Sequence, residues 1–590
     1  MAQEDTVVSL REVVVTDTQL RDFSTSQSVQ KFNDSVITNN RPSLTNLLNY
    51  NSVIYFKENG PGMVSSPSFR GTTAQQTAVL WNGININSQL NGQTDFNTIN
   101  TRDFNGISVR AGGGSVIYGS SAVGGSIHLD NELQFGNRFV NEARTEYGSF
   151  NTLGMNYNMQ AGTERFTMQA SASRNSSDND FEYPNSKLKN DNGQYYNTSL
   201  NASAAYKLTN RQTLKFYSYM FDGERHFSRT LAAPSRSKYH DTNTRNLLEW
   251  EAVNSSSTSK VKLAHLTEKY RYFENYLNEN HETGEAETWL ARYDFTYRFA
   301  RGLTLNAIAD YTENTAEGTS ILKEKRQTGS GSLLLKHKVS DKITYEGGLR
   351  KEIGNIYDSP LLFSLGGSYS PLSFYTLKFN ASRNFRAPTF NDLYWLGSGN
   401  PDLKPETSYQ AELGNQFNYK NATLTLTGYF IKLRDMLRWV PSGAQWSPEN
   451  VGRVNTYGGE ALLNWHESYG FGKFEVNGTY AYTVSHEDGN SLQLMYVPQH
   501  KGTASFGYSF KRISLFYRQL FTGKVYTTTD HSSNVDAYNV ADAGIQYSFS
   551  LFGKLDVGIQ VLNLYDKAYQ NVTLRPLPGR NYNVYINLNF

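Results

Sequence analysis

Asn581-Tyr582-Asn583-Val584-Tyr585-Ile586-Asn587-Leu588-Asn589-Phe590, the end of the chain, decides how the rest is read. Successive side chains of a β-strand point to opposite faces. Tyr582, Val584, Ile586, Leu588 and Phe590 therefore share one face, and Asn581, Asn583, Asn587 and Asn589 share the other. Period-two alternation of this kind puts a strand between two different solvents. The pattern recurs upstream. Leu555, Val557, Ile559 and Val561 alternate with Asp556, Gly558 and Gln560, and Leu424, Leu426 and Phe430 oppose Thr423, Thr425 and Thr427.

No stretch carries the roughly 18 consecutive apolar residues of a spanning helix. A membrane barrel does not need one, because its strands cross in about 10 residues with every second side chain facing lipid. Such a chain reads as hydrophilic overall. The 590 residues include Tyr 40, Phe 33 and Trp 7, an aromatic share of 14%, as belts of aromatics at two membrane interfaces require. Residues 135–590 then accommodate about 22 antiparallel strands at roughly 21 residues per strand and connection. Polar connections are expected at 175–194, 222–241, 275–285, 386–406 and 524–536. A soluble propeller or a set of sandwiches fits less well, since no blade or sandwich repeat is visible and the polar faces are rich in Asn, Thr, Ser and Gly. The expected fold class is an all-β membrane barrel.

A barrel of this size leaves a wide lumen, which natural examples fill. Before residue 135 the pattern changes to that of a small α/β domain. Pro42-Ser43-Leu44-Thr45-Asn46-Leu47-Leu48 reads as a short helix with Pro42 in its first turn. Thr77–Ile86 reads as two short strands around the Asn82-Gly83 turn. The expected organisation is an N-terminal segment over 1–20, an α/β plug domain over 21–134 and the barrel over 135–590.

Several functions are excluded. Lys plus Arg is 56 and Asp plus Glu is 54, a net charge of +2, too balanced for a nucleic-acid binder. Cysteine is absent, which removes disulfides, thiolate metal sites and cysteine nucleophiles. No nucleophile–base, paired-carboxylate or His-metal constellation has a spacing that chemistry requires. The chain is expected to be neither an enzyme nor the holder of an organic cofactor. Met1-Ala2-Gln3-Glu4-Asp5 leads into polar sequence without an apolar h-region, as a mature or re-engineered N-terminus does.

Four stretches carry a resemblance to the TonB-dependent outer-membrane transporters. Leu10-Arg11-Glu12-Val13-Val14-Val15-Thr16 resembles the TonB box in its Bacteroidota form; its β-branched run suits addition to the edge of a partner's sheet. Phe69-Arg70-Gly71 and Val79-Leu80-Trp81-Asn82-Gly83 resemble the plug pattern, with Asn82 where the family has Asp. Ile107-Ser108-Val109-Arg110-Ala111-Gly112, Ser115-Val116-Ile117-Tyr118-Gly119 and Ala122-Val123-Gly124-Gly125-Ser126-Ile127 resemble the family's most specific signature, with Ser108 in place of Glu. These glycines suit close packing better than phosphate binding, for which the accompanying Lys-Ser/Thr or dinucleotide pattern is missing. In the barrel, Phe385-Arg386-Ala387-Pro388 and Asn400-Pro401-Asp402-Leu403-Lys404-Pro405-Glu406 resemble paired boxes around one extracellular loop. Asn563-Leu564-Tyr565-Asp566-Lys567, Pro578-Gly579-Arg580 and the terminal Phe590 resemble the closing landmarks.

The resemblance implies location in the bacterial outer membrane, in contact with its lipids, and coupling through residues 10–16 to TonB, itself energised by ExbB and ExbD. In overall length, compact plug and modest loops the chain is most similar to the vitamin B12 receptors of the family. That implies a cobalamin or related corrinoid as cargo, with ferric siderophores as the chief rival. Haem falls behind because residues 389–399 lack the His that haem receptors place there. A passive channel or an adhesin on the same barrel remains as an alternative of a different class. Two plug apices are expected to face cargo: Asn59, Met63, Ser65 and Ser66 in one, Asn87, Ser88, Gln89, Leu90 and Asn91 in the other. Their amides and hydroxyls suit a large, nearly neutral, amide-rich molecule, whereas an anionic siderophore would favour several cations. Tyr394 and Trp395 are expected to cover flat faces of the cargo. Asp178, Asp180, Glu182 and Asp191 supply oxygen donors for a structural calcium ion, although EF-hand spacing is lacking. The resemblance also implies a surface lipoprotein as an extracellular lid.

Overall fold

The computed structural model describes residues 18–442, 445–551 and 553–590. Its outer wall is a closed barrel of 22 strands, each antiparallel to its neighbours. The barrel starts at Arg138–Gly148 and ends at Asn581–Asn589, and the last strand closes on the first with Asn583 opposite Gly148 and Asn589 opposite Glu142. Tyr582, Val584 and Ile586 are 51%, 45% and 50% exposed, whereas Asn583 and Asn587 are buried. Apolar side chains face out and amides face in, the inverse of a soluble sandwich. That arrangement is stable only where the surroundings are hydrocarbon and the interior is polar. Tyr585 is the one aromatic on the inner face of this strand, and its ring carries the Arg144 guanidinium at 3.9 Å.

The two rims differ. One carries tight turns such as 208–211, 420–421 and 470–471, ringed by exposed Phe139, Tyr206, Phe374, Tyr419, Phe471 and Phe590. The other carries long segments at 178–194, 387–405, 523–537 and 563–580, below which Tyr147, Trp289, Phe363, Tyr457 and Tyr582 are exposed. Short turns mark the periplasmic rim and long loops the extracellular rim of such barrels. Several strands outrun the expected connections. Gln212–His226 and Lys238–Val253 remain paired to Arg225↔Tyr239 and His226↔Lys238, which shortens the connection expected at 222–241. Strands of this length stand above the bilayer, where both faces meet water and alternation in the sequence fades. No helix among the described residues is long and apolar enough to cross a membrane.

Residues inside the lumen form a five-stranded mixed sheet ordered Val29–Phe32, Gly106–Ala111, Gly125–Asp130, Thr77–Trp81, Ile84–Asn85. Asn82 and Gly83 both take positive φ, 48° and 81°, the geometry a two-residue hairpin turn demands. The helix Leu44–Asn51 starts later than expected. Ser43 is its N-cap and accepts from Asn46 N at 3.2 Å, so Pro42 precedes the cap instead of occupying the first turn. Leu44, Leu47, Leu48, Phe56, Phe69 and Trp81 form the core. Gly125 is required there, because a Cβ would lie 2.2 Å from the Phe69 ring. The plug signature and the first barrel box touch: Ser121 N donates to Phe385 O at 3.2 Å and Ala387 N to Ser120 Oγ at 3.0 Å. The two barrel boxes are themselves register partners, Arg386 opposite Glu406, joined by an ion pair at 2.9 Å.

Arg70 fastens plug to wall. Its guanidinium reaches Glu412 at 2.6 Å and Glu460 at 2.8 Å and lies 4.5 Å over the Tyr429 ring, fully out of solvent. Removing one member of a buried ion cluster leaves charge uncompensated and costs about 3–5 kcal/mol. Arg70→Ala is therefore expected to release the plug at markedly lower urea than the parent, followed by protease cleavage within residues 18–134 while the barrel stays folded. Identical urea midpoints would show that the cluster does not hold the plug.

Candidate functional site

The two apices project toward the extracellular rim, and the first is bonded to the segment that follows the second. The first is the loop of the hairpin Tyr55–Glu58/Ser65–Ser68. Asn59 N donates to Val64 O at 3.1 Å, and Met63 N to Gly60 O at 3.0 Å. Gly62 has φ 74°, and a Cβ on it would strike the Tyr195 ring at 2.1 Å, so only glycine fits against this wall. Ser66 Oγ donates to Gln93 Oε1 at 3.2 Å, Ser65 N to Asp95 Oδ1 at 3.2 Å, and Asn97 Nδ2 to Met63 O at 2.6 Å. Each of these bonds runs from the first apex to the segment that follows the second.

The second apex is held from three sides. Asn87 is buried and braces the turn, accepting from Val79 N at 2.8 Å and donating to Thr77 O at 2.9 Å. Glu268, on the barrel strand Ser257–Phe273, accepts from Gln89 N at 2.8 Å, Leu90 N at 3.2 Å and Ser88 Oγ at 3.2 Å. From the third side the loop 387–405 dips inward as the helix Phe390–Tyr394, capped by Thr389. There Phe390 N donates to Gln89 O and Asn391 N to Leu90 O, both at 3.0 Å. The helix was not foreseen, because its five residues are too few to show a period.

Beside this apex lies a cavity of about 420 Å³, lined by Asn87, Ser88, Gln89, Leu90, Asn91 and Trp395 of the expected set. Asn91 is exposed, Ser88 and Gln89 are half-buried, and Leu90 is buried against Phe390. The first apex does not reach this cavity. Met63 and Ser65 are each 1% exposed and act as supports beneath the surface, while Asn59 and Ser66 are half-buried. Tyr394 packs on Phe390 at 6.1 Å between ring centres and does not line the cavity.

The facing wall consists of residues that sequence reasoning did not single out: Arg225, Tyr239, Arg245, Glu268, Tyr270 and Tyr272. Tyr239 and Tyr270 stack at 5.0 Å with their planes 19° apart, and Arg225 lies 5.0 Å over Tyr239. Tyr270 and Tyr272 at i, i+2 share the inward face, which was the available signal. Arg225 bridges Asp241 at 2.8 Å and Asp95 at 3.4 Å. Desolvation lifts the Asp95 carboxyl above its ordinary range, against the pull of Arg225 and of the Asn97 and Ser65 backbone amides. Burial also pushes Glu58, below the first apex, up to about 7, with Asn97 and Arg41 opposing. The mouth of the site is thus aromatic, amide-rich and nearly balanced in charge. It is suited to holding a large polar molecule.

The four acidic residues weighed for calcium do not converge. Asp178 accepts from Asn151 Nδ2 at 3.1 Å, Asp180 pairs with Lys189 at 2.5 Å, Asp191 pairs with Arg229 at 3.1 Å, and Glu182 is exposed. No group of three His, Cys, Asp or Glu able to hold a metal ion occurs among the described residues, so this donor set does not fit the ion. The loop instead braces the first apex, with Asn179 Nδ2 donating to Pro61 O at 3.1 Å.

Residues 10–16, read as the TonB box, lie outside the described residues. The segment that follows them is fastened to the wall near the tight-turn rim. The Gln19 amide bonds Asp294. Thr25 N and Oγ1 donate to Glu346 Oε2 at 3.3 and 2.7 Å, and Ser26 N donates to Glu346 Oε1 at 3.0 Å.

Comparison with known proteins agrees with this architecture. Residues 21–126 match the TonB-dependent Receptor Plug Domain, and residues 150–564 match the model of the TonB dependent receptor-like β-barrel. The vitamin B12 transporter BtuB of Photobacterium profundum is 25% identical over 521 residues, covering 86% of this chain and 84% of that one. The protein of the same name from Vibrio vulnificus (strain YJ016) is 24% identical over 546 residues, covering 87% and 83%. Among solved structures, the siderophore receptor PirA from Acinetobacter baumannii superposes with a TM-score of 0.81 at 16% identity, over 98% of this chain and 100% of that one. At that identity the likeness is one of fold alone.

Proposed function

Starting from a chain that belongs to the TonB-dependent receptor family of the bacterial outer membrane, we propose that it imports a corrinoid, cobalamin or a close relative. The family is one of transporters, not enzymes. The observation that carries the choice of cargo is the cavity beside Ser88–Asn91, with its amides, stacked tyrosines and Trp395. A corrinoid presents a flat macrocycle edged with amide arms, so rings meet its faces and amides and hydroxyls meet its edge. The relatives named as vitamin B12 transporters, matched along most of their length, favour the same reading. A ferric siderophore is the second reading, favoured by the fold shared with siderophore receptors. Against it stands the charge of the cavity's lining, where Arg225 pairs with Asp95 and Asp241, Lys269 with Glu285, and Arg245 faces Glu268, which leaves little surplus positive charge for a polyanionic chelate.

Transport in this reading proceeds by cargo binding outside, presentation of residues 10–16 inside, pairing of that segment with TonB, and a pull that opens part of the plug. A lipoprotein lid would act from the extracellular rim. Isothermal titration at micromolar protein is expected to give a clear binding heat with cyanocobalamin and none with a panel of ferric siderophores; the reverse result would promote the siderophore reading. Asn91→Ala is expected to weaken cyanocobalamin by about 0.5–1.5 kcal/mol, the worth of one neutral hydrogen bond.

A further inference from the structure

A second cavity, of about 150 Å³, lies on the inner side of the 87–92 apex and is lined by Arg292, Arg326, Arg350 and Arg386. Three of these arginines have carboxylate partners. Arg292 pairs with Asp310, Arg350 with Asp310 at 3.1 Å and Glu352 at 2.8 Å, and Arg386 with Glu406 at 2.9 Å. Arg326 forms no ion pair among the described residues. It is 6% exposed, yet the acceptors recorded for it are neutral. Nη1 donates to Pro388 O at 2.9 Å and Nη2 to the side-chain Oε1 of Gln89. The faces of Phe390, at 4.9 Å, and Tyr357, at 5.9 Å, flank the guanidinium. Burying a cation with only neutral partners is unfavourable compared with giving it an anion. Gln89 lines both cavities, so a group that displaces its amide passes from the cargo mouth directly to Arg326.

We propose that Arg326 is the specificity residue that seats the one anionic group of the cargo, exchanging the Gln89 amide for an oxyanion on its guanidinium. The assignment rests on the corrinoid reading, in which that group is the phosphodiester of the nucleotide arm. A guanidinium takes two phosphate oxygens through parallel N–H donors and binds them more strongly than it binds a neutral amide. Arg245, in the outer cavity, also lacks an ion pair among the described residues, but it faces Glu268 in a cavity shared with Asp95 and Asp241. An anion approaching there is repelled, whereas the inner cavity holds four arginines and, in its lining, the carboxylates of Asp310 and Glu352. The exchange also releases the Gln89 side chain from Arg326, while its backbone stays bonded to Glu268 and Phe390.

The test is a cycle of two ligands and two proteins: cyanocobalamin and dicyanocobinamide, which lacks the nucleotide arm and its phosphate, each titrated against wild type and Arg326→Gln. The expected result is a loss of about 10- to 100-fold for cyanocobalamin, the range for a hydrogen bond to a charged group, with cobinamide affinity unchanged. Equal losses for both ligands, or none for either, would overturn the assignment and leave Arg326 as a strut between loops. If wild type binds neither corrinoid, the cargo reading fails first and this assignment with it. Should the glutamine variant not assemble, Arg326→Lys carries the same comparison. It keeps the charge but loses the fork, so a few-fold loss confined to cyanocobalamin is expected, and an equal effect on both ligands would again count against the proposal.

Discussion

Deleting residues 8–16 is expected to abolish energised uptake of cargo and to leave its affinity in detergent unchanged. The two halves of this expectation rest on different parts of the molecule. In the proposed function affinity belongs to the extracellular mouth, where Ser88–Asn91, Trp395 and the tyrosine wall are held by Glu268 and by the 390–394 helix. None of those holds involves the first residues of the chain. Uptake needs a segment on the other side on which TonB can pull. The first described residues are fastened beside Asp294 and Glu346, close to the tight turns 299–302 and 339–342. A β-branched segment such as residues 10–16 is suited to pairing with a partner's sheet through its backbone. Load applied to it falls on the Gln19–Asp294 bond and then on the Glu346 bonds to Thr25 and Ser26, well before it reaches the Arg70 cluster. Measured uptake of labelled cargo in energised cells, beside titration of the purified variant, separates the two halves. Continued accumulation by the deletion variant would assign coupling to another segment.

What the sequence revealed and what it hid follow from the physics of each part. The barrel was legible because its two solvents impose a period of two over most of every strand, and the closing strand 581–590 kept that period with amides on one side and apolar side chains on the other. The Asn82-Gly83 turn was legible because positive φ at successive residues is a steric demand that few residues meet. The proposed cargo mouth was only half legible. Ser88, Gln89 and Asn91 sit on a loop whose polarity can be read directly. The wall opposite is built from Tyr239, Tyr270 and Arg245, which lie on strands adjacent in space through register alone: Asp241 faces Tyr270, and Arg245 faces Leu266. Nothing local to residue 239 announces a partner at 270. Arg326 was hidden for the same reason, since its lack of a carboxylate is a property of three neighbouring strands and a loop. The acidic run at 178–191 misled in the opposite direction, because donors that lie close in sequence turn to separate partners once the loop folds.

A chain lacking residues 1–134 is expected to insert and to form an open, strongly conducting pore, whereas the intact protein is nearly closed to ions. The barrel does not depend on the plug for its backbone hydrogen bonds, since every wall strand is paired on both sides and the ring closes through Asn583↔Gly148. Nor does its lipid-facing surface depend on the plug. Removal exposes the inner face, and that face is polar: Asn583, Asn587, Glu412, Glu460 and Lys501 line it. In the intact protein Glu412 and Glu460 both pair with Arg70, and Lys501 donates to the plug carbonyls of Asn49 and Ser52 at 2.8 and 2.7 Å. Water entering the emptied lumen solvates these groups, so the desolvation cost that made their plug partners necessary disappears together with the partners. Single-channel recording in planar bilayers checks the expectation directly. Large steady currents from the truncated chain and only small ones from the whole protein are predicted. A truncated chain that fails to assemble under conditions where the full chain does would show that barrel closure requires the plug as a template, and that the change of pattern near residue 135 does not mark two independently folding parts.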